Sequence, residues 1–299
     1  MTALRARARL LPTSGVPLLS LQDGPIDLIV LAEGSEAARR AAWNAAAICF
    51  GGILDRLCAE LPLLRTSVAP GVPWPADPIA RRMRAAVEPL ARFGFITPMA
   101  AVAGAVAEAV LAAMVAAAPL RRAAVNNGGD IALHLAPGEC FATGMVARPA
   151  PGAPDLFGRV VLRDADCVRG IATSGWRGRS FSLGIADAVT VLAARAAAAD
   201  AAATVIANAV DLPGHPAVQR CPATDLQPDS DLGERPVTHA VGALAEAEIA
   251  TALDAGLRRA EALVAACEII AAALHLQGRT VLTAAAGDPL SAPGSAADD

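Results

Sequence analysis

The chain contains no tyrosine and no lysine, and only 3% of its residues are aromatic. That absence constrains the fold more than any single motif. The core has to be built from Ala, Val, Leu and Ile, with alanine dominant. Alanine faces let helices approach closely, but each buried methyl contributes little hydrophobic free energy. The same absence removes whole chemistries: all 25 basic residues are arginine, so a Schiff-base lysine, a P-loop lysine and a tyrosine acid are excluded. With 299 residues, 55% of them apolar, the chain can bury a substantial core. A net charge of −4 argues against a broad electrostatic grip on nucleic acid or an anionic membrane.

The stretch Phe93–Leu120 is long and weakly charged, interrupted by Glu108. It is mostly Ala and Val and contains Gly94, Pro98 and Gly104. Alanine inserts poorly into a bilayer, so the stretch reads as a buried helix rather than a span. Met1–Pro12 carries arginines without an apolar run and cleavage site, so no secretory signal is expected. The six cysteines show no C-x-x-C and no framework. They read as buried thiols of a cytoplasmic protein. The four histidines are scattered, which argues against a Cys/His zinc site.

Arg5, Arg7 and Arg9 alternate with small or apolar residues and predict an opening strand with one solvated face. Val16–Gln22 and Ile26–Leu31 predict two strands joined at Asp23-Gly24-Pro25. Ser35–Leu61 reads as one long helix, stopped by Pro62, and Asp77–Arg92 as an arginine-rich helix with a solvated face. A third helix is predicted with Pro98 in its first turn, running to about Ala118 and ended by Pro119. Strands are predicted over 123–126, 131–135, 140–146, 159–163, 168–173 and 188–192, and a helix over 194–210. A loop over 211–236, a last long helix over 241–276 and a strand over 279–283 complete the reading. Helices, then strands, then helices predict an α+β fold with a mixed, largely antiparallel sheet packed against long Ala-rich helices. A single domain over 1–286 with a disordered tail over 287–299 is expected.

Three segments look unlike ordinary core. In Asn126-Asn127-Gly128-Gly129-Asp130-Ile131, two glycines permit positive φ and close approach of a ligand, and the asparagine amides can pair with a heterocycle edge. A plain hairpin turn is an equal reading. In Thr173-Ser174-Gly175-Trp176-Arg177-Gly178-Arg179, hydroxyls, backbone amides and two guanidiniums could hold a diphosphate, or form a solvated turn. Asp200, Thr204 and Asn208 fall at i, i+4 and i+8 on an otherwise apolar helix. A carboxylate there needs a partner, either a hard cation with oxygen ligands or an arginine.

In this order the segments resemble the ApbE family of flavin transferases, and more closely its cytosolic relatives of unassigned function in bacteria and archaea. Asn126–Ile131 is similar to the family's N-x-G-G-D-I, and Ala172-Thr173-Ser174-Gly175 to its A-T-S-G. Ala188-Val189-Thr190-Val191 is similar to its S-V-T-V, and Ala199–Thr204 to its A-D-A-x-A-T. Thr97–Glu108 stands where the family has G-G-x-A-K-G. The resemblance implies FAD or a related flavin nucleotide, held by Asn126, Asn127, Gly128, Gly129 and Asp130 on one side. On the other side it implies Thr173, Ser174 and Gly175, supported by Arg177 and Arg179. It implies Mg²⁺ on Asp200, Thr204 and a carbonyl near Ala100–Ala103. The family reaction transfers FMN from FAD to a threonine or serine of a target protein, and some members hydrolyse FAD.

Two departures matter. The family's His-x-x-Asp-Pro segment, whose histidine is a candidate base, is replaced by Ser180–Asp187 without histidine, leaving Asp187 as substitute base or as partner of an arginine. The lysine of A-K-G is alanine here. The expected partners are a nucleotide, a protein target of flavinylation and a second copy of the chain; nucleic acid and membrane are not expected. The alternative is a non-catalytic binding or assembly protein, with the face of Ala243–Leu276 as subunit contact.

Overall fold

A computed structural model describes residues 7–13, 15–148, 155–283 and 290–291. In chain order the elements are β1 (Arg7–Leu11), β2 (Leu18–Asp23), β3 (Ile26–Glu33), α1 (Glu36–Phe50), α2 (Ile53–Ala59), α3 (Leu61–Leu64), α4 (Pro78–Val87), α5 (Val102–Ala117), β4 (Arg122–Asn127) and β5 (Asp130–Leu135). There follow β6 (Cys140–Arg148), β7 (Asp155–Arg163), β8 (Gly170–Ser174), β9 (Ala188–Ala193), α6 (Ala196–Ala209), β10 (Val218–Pro222), α7 (Ala223–Leu226), β11 (Pro236–Val241), α8 (Glu246–Ala265), β12 (Ala271–Leu276), β13 (Arg279–Leu282) and β14 (Leu290–Ser291). The fold is α+β, with a large antiparallel sheet.

The chain divides into two units interleaved in sequence. The first comprises Met1–Phe141, Arg163–Ala172 and Ala193–Ala201. Its strands pair antiparallel in the order β1-β2-β3-β4-β5-β8. Helix α5 packs against α1, α4, β4 and β5. Pro98–Ala117 is the one helical stretch among the described residues long and apolar enough to cross a bilayer, with mean hydropathy 2.0. Its Glu108 bonds Arg82 Nε at 3.2 Å and accepts from Ala197 N at 2.8 Å.

Small residues set the spacing of the first unit. A Cβ on Gly104 would stand 2.3 Å from Ala196 O, and one on Gly170 would stand 2.3 Å from Ala196 N. The start of α6 is therefore held between two glycines, at a distance no side chain permits. Capping across this contact is reciprocal: Glu108 of α5 accepts from the first turn of α6, and Asp200 of α6 accepts from Gly104 N of α5 at 2.9 Å. Each carboxylate satisfies amides that a helix N-terminus leaves without an intrahelical acceptor.

The second unit comprises Ala142–Leu162, Thr173–Leu192 and Ala202–Asp299. Strands β9, β12 and β13 pair antiparallel in that order, and α8 packs on β12 and β13. Strand β7 lies between β6 and β14, and β10 pairs with β11.

Several elements differ from their sequence expectation. The helix expected over 35–61 breaks at Gly51-Gly52, with Gly52 at φ 78°, and Pro62 lies in the first turn of α3 rather than after a helix. The expected loop over 211–236 contains β10 and α7, and ends where β11 begins. The helix expected over 241–276 ends at Ala265. The final six residues of that span form β12, every one of them buried. The face of α8 formed by Ile249, Leu253, Gly256 and Leu263 is buried within the chain. Four cysteines expected to be buried (Cys58, Cys140, Cys167, Cys267) are exposed, and Arg84 on the expected solvated face of α4 is buried. Arg5 and residues 287–289 and 292–299 lie outside the described residues. Leu290 and Ser291, expected in the disordered tail, pair with β7.

Candidate functional site

The first cluster is built on the β4–β5 hairpin. Asn127 and Asp130 are opposed across a two-residue turn in which Gly128 and Gly129 have φ 69° and 118°. Positive φ at both positions is what a tight hairpin requires and what glycine supplies without strain. Asn126 Oδ1 accepts from Gly129 N at 2.8 Å and stiffens the turn. Asn127, buried, donates its Nδ2 to Ala103 O at 3.2 Å and so ties the turn to the start of α5.

That start of α5 is where Asp200 is held. Its carboxylate accepts from Gly104 N. Part of Asp200 reaches solvent, yet protein surrounds most of it. Desolvation, and secondly the charge of Asp130, push its pKa well above the ordinary carboxylate range. The amides of Gly104 and Ala103 pull the other way and do not cancel the shift. The cluster thus joins Asn127, Asp130 and Asp200 with the Ala103 carbonyl. No arginine serves as the partner of Asp200 among its described bonds: backbone amides do.

Along α6, Asp200, Thr204 and Asn208 are all half-buried while the residues between are almost wholly buried. The polar stripe therefore coincides with the accessible side of the helix. Asn208 Oδ1 accepts from Leu183 N at 2.9 Å and Ser182 Oγ at 3.2 Å, fixing the segment before Asp187.

The second cluster follows β8. Thr173 Oγ1 lies 2.9 Å from Thr190 Oγ1, and Ser174 is half-buried. A Cβ on Gly175 would stand 2.3 Å from Asp187 O, so the loop backbone rests directly on that of residues 186–187. Trp176 N donates to Ala186 O at 3.0 Å. Asp187, buried, accepts on Oδ1 from Arg177 Nε at 2.8 Å and Trp176 Nε1 at 3.2 Å. Its Oδ2 accepts from Gln277 N at 2.7 Å. The Arg177 guanidinium lies over the Trp176 ring, 4.2 Å from its centroid. Arg179 is exposed.

Sequence reasoning missed Trp176 and Gln277 as partners of Asp187, and the amides of Ala103 and Gly104 as partners of Asp200. Gln277-Gly278, with φ 43° and 86°, closes the β12–β13 hairpin. A polar residue followed by glycine after an apolar run was the signal for it. Among the described residues no group of three or more His, Cys, Asp or Glu could hold a metal by itself. A cation on Asp130 and Asp200 needs carbonyl, amide or ligand oxygens to complete its shell.

Fold and site define an α+β protein with an oxygen-rich, carboxylate-centred cluster at a glycine hairpin. The chain belongs to the ApbE family: residues 8–282 match the family described as AbpE bacteria. It is 40% identical over 158 residues to UPF0280 protein MK0206 of Methanopyrus kandleri, covering 52% of this chain and 59% of that one. It is 38% identical over 160 residues to a UPF0280 protein of Methanosphaerula palustris, covering 52% and 63%. The match thus spans about three-fifths of the length of these curated relatives. Among solved structures, the apo flavinyl transferase ApbE of Pseudomonas stutzeri aligns over 95% of this chain and 96% of that one, at 13% identity and TM-score 0.39. The flavin transferase ApbE of Vibrio cholerae aligns over 93% and 98%, at 12% identity and TM-score 0.34.

Proposed function

We propose that this protein binds a flavin nucleotide, FAD in the first instance, together with Mg²⁺, and that its chemistry is at the phosphoester or diphosphate of that nucleotide. The supporting observation is that Asp200 is held on Gly104 N at the start of α5, where Asn127 of the glycine hairpin bonds the Ala103 carbonyl and the charge of Asp130 acts on Asp200. A carboxylate whose protonation is raised by burial and by the charge of Asp130, beside a backbone oxygen, favours a hard divalent cation. Mg²⁺ characteristically takes one or two carboxylates and completes its shell with water and substrate phosphates. Asp200 and Asp130 would hold it, with Thr204 one helical turn from Asp200. A bound cation would neutralise the diphosphate and polarise it for attack. By resemblance to the family, the hairpin Asn126–Asp130 is assigned to the base or ribose, and Thr173, Ser174 and Gly175, with Arg177 and Arg179, to the phosphates.

A second reading is a binding protein that does not consume its nucleotide. One observation favours it: Asp187, the substitute for the family's histidine, accepts three hydrogen bonds and secures the loop to its surroundings. In this reading Asp187 is a positioning residue. Flavin fluorescence titrated with protein, with and without Mg²⁺, tests binding. Chromatography of FAD after long incubation then separates the readings: FMN and AMP support diphosphate hydrolysis, and intact FAD with retained binding supports the second reading. No Mg²⁺-dependent binding overturns both.

A further inference from the structure

Helix α4 carries an arginine whose burial neither the fold nor the flavin reading explains. Arg84 is only 5% exposed, and its Nε is buried without a hydrogen-bond partner. Its ion pair is long, Nη2 to Glu88 Oε1 at 3.8 Å, and Glu88 is exposed. Guanidinium stays charged at any ordinary pH, and a buried charge so weakly paired destabilises a fold. Its place in the last turn of α4 gains something from the helix dipole, but less than an unpaired buried donor costs. Arg82 makes the contrast: one of its nitrogens is also orphaned, but it ion-pairs closely with Glu108, at 3.2 Å.

The surroundings of Arg84 are built and reach solvent. Its guanidinium carbon lies 5.3 Å from the centroid of Trp74, and that of Arg81, one turn earlier on α4, lies 5.5 Å from the same ring. Trp74 is 43% exposed and stands between Pro73 and Pro75. Arg81 Nη1 donates to Pro75 O at 3.4 Å. Two guanidiniums are thus gathered at one ring in a proline-stiffened segment, one with an exposed side chain and one buried with a free donor. The planar fork of arginine matches the oxygens of phosphate and carboxylate.

We propose that Arg84, Arg81 and Trp74 form a binding site for an oxyanion group, phosphate or carboxylate, carried by a ligand of this protein. The site does not rest on the flavin reading. Tryptophan emission is the test, with inorganic phosphate, pyrophosphate, acetate and citrate titrated at ionic strength held constant with chloride. The expected result is a saturable change with phosphate or carboxylate probes, absent in Trp74→Phe and weakened by about tenfold or more in Arg84→Met. Whether phosphates or carboxylates respond identifies the source of the oxyanion. Arg84→Met is also expected to melt no lower than wild type without probe, since it removes a poorly paired buried charge. Should that variant not fold, the exposed Arg81→Gln decides, by weakening the response. No saturable response, an equal response to chloride, or a response unchanged in Arg84→Met (or in Arg81→Gln where that decides) overturns the proposal.

Discussion

Gly104→Ala is a severe test of how the first unit is assembled. The added Cβ would meet Ala196 O at 2.3 Å, its carbonyl carbon at 2.5 Å and Ala197 N at 2.7 Å. Ordinary contact begins at 3.4 Å, so α5 and α6 must part by about 1 Å, and the obstructing atoms are backbone that cannot rotate away. Overpacking of this kind costs about 1–3 kcal/mol. Separation also lengthens the bonds from Gly104 N to Asp200 and from Ala197 N to Glu108, each a helix-terminal cap worth about 1 kcal/mol. Against this stands the helix propensity of alanine over glycine, about 1 kcal/mol. The net expectation is a loss of about 3 kcal/mol. At about 2–4 °C per kcal/mol for a large domain, the melting temperature falls by roughly 6–12 °C. Calorimetry and urea unfolding measure it. Ala112→Gly, at an exposed position of the same helix, serves as control and costs only the propensity term of about 1 kcal/mol. A Gly104→Ala protein as stable as wild type, or more so, would refute the close approach of the two helices and with it the geometry given to Asp200.

Asp200→Asn keeps an acceptor for Gly104 N but removes the charge, and should weaken Mg²⁺-dependent nucleotide binding by about tenfold or more, read by calorimetric titration. The pH dependence has a definite sign. Asp200 titrates above its unfolded value when folded, so the metal-free fold binds the extra proton. Its stabilising contribution is complete below the unfolded pKa and is lost as pH rises through the folded one. Urea unfolding across that window should show wild type losing stability relative to Asp200→Asn as pH rises, and Mg²⁺ restoring it. Asn208→Ala leaves Leu183 N without its acceptor and should cost about 1–3 kcal/mol of unfolding free energy.

The sequence made some of this legible for local reasons. The β4–β5 hairpin follows from two adjacent glycines between apolar strands. The polar stripe of α6 follows from its i, i+4, i+8 spacing. What escaped depends on contacts between distant segments or on composition without contrast. Ala271–Leu276 is apolar and alanine-rich, equally compatible with a buried helix and a buried strand, and α8 ends at Ala265 without a glycine or proline stop, the chain turning at Cys267 in the left-handed region. The break at Gly51-Gly52 has a local signal, two adjacent glycines, that the reading of 35–61 as one helix does not use. The action of the Asp130 charge on Asp200 links a hairpin turn to a helix far along the chain, and no local pattern encodes it. Arg84 sits in an arginine-rich helix whose charge pattern resembles any solvated face. Only the packing of α4 distinguishes it from Arg81.

The central claim is Mg²⁺-dependent binding of a flavin nucleotide by the Asp200 cluster. Thermal unfolding of chelator-treated protein with FAD, FMN and ADP, each with and without Mg²⁺, tests it most directly. A ligand at a hundredfold excess over its Kd stabilises the folded state by about 2.7 kcal/mol. For FAD with Mg²⁺ that corresponds to a rise of roughly 5–10 °C, absent without the metal and absent in Asp200→Asn. An unchanged melting temperature with all three nucleotides, metal present or not, would contradict the claim and leave the family resemblance as a statement about fold alone.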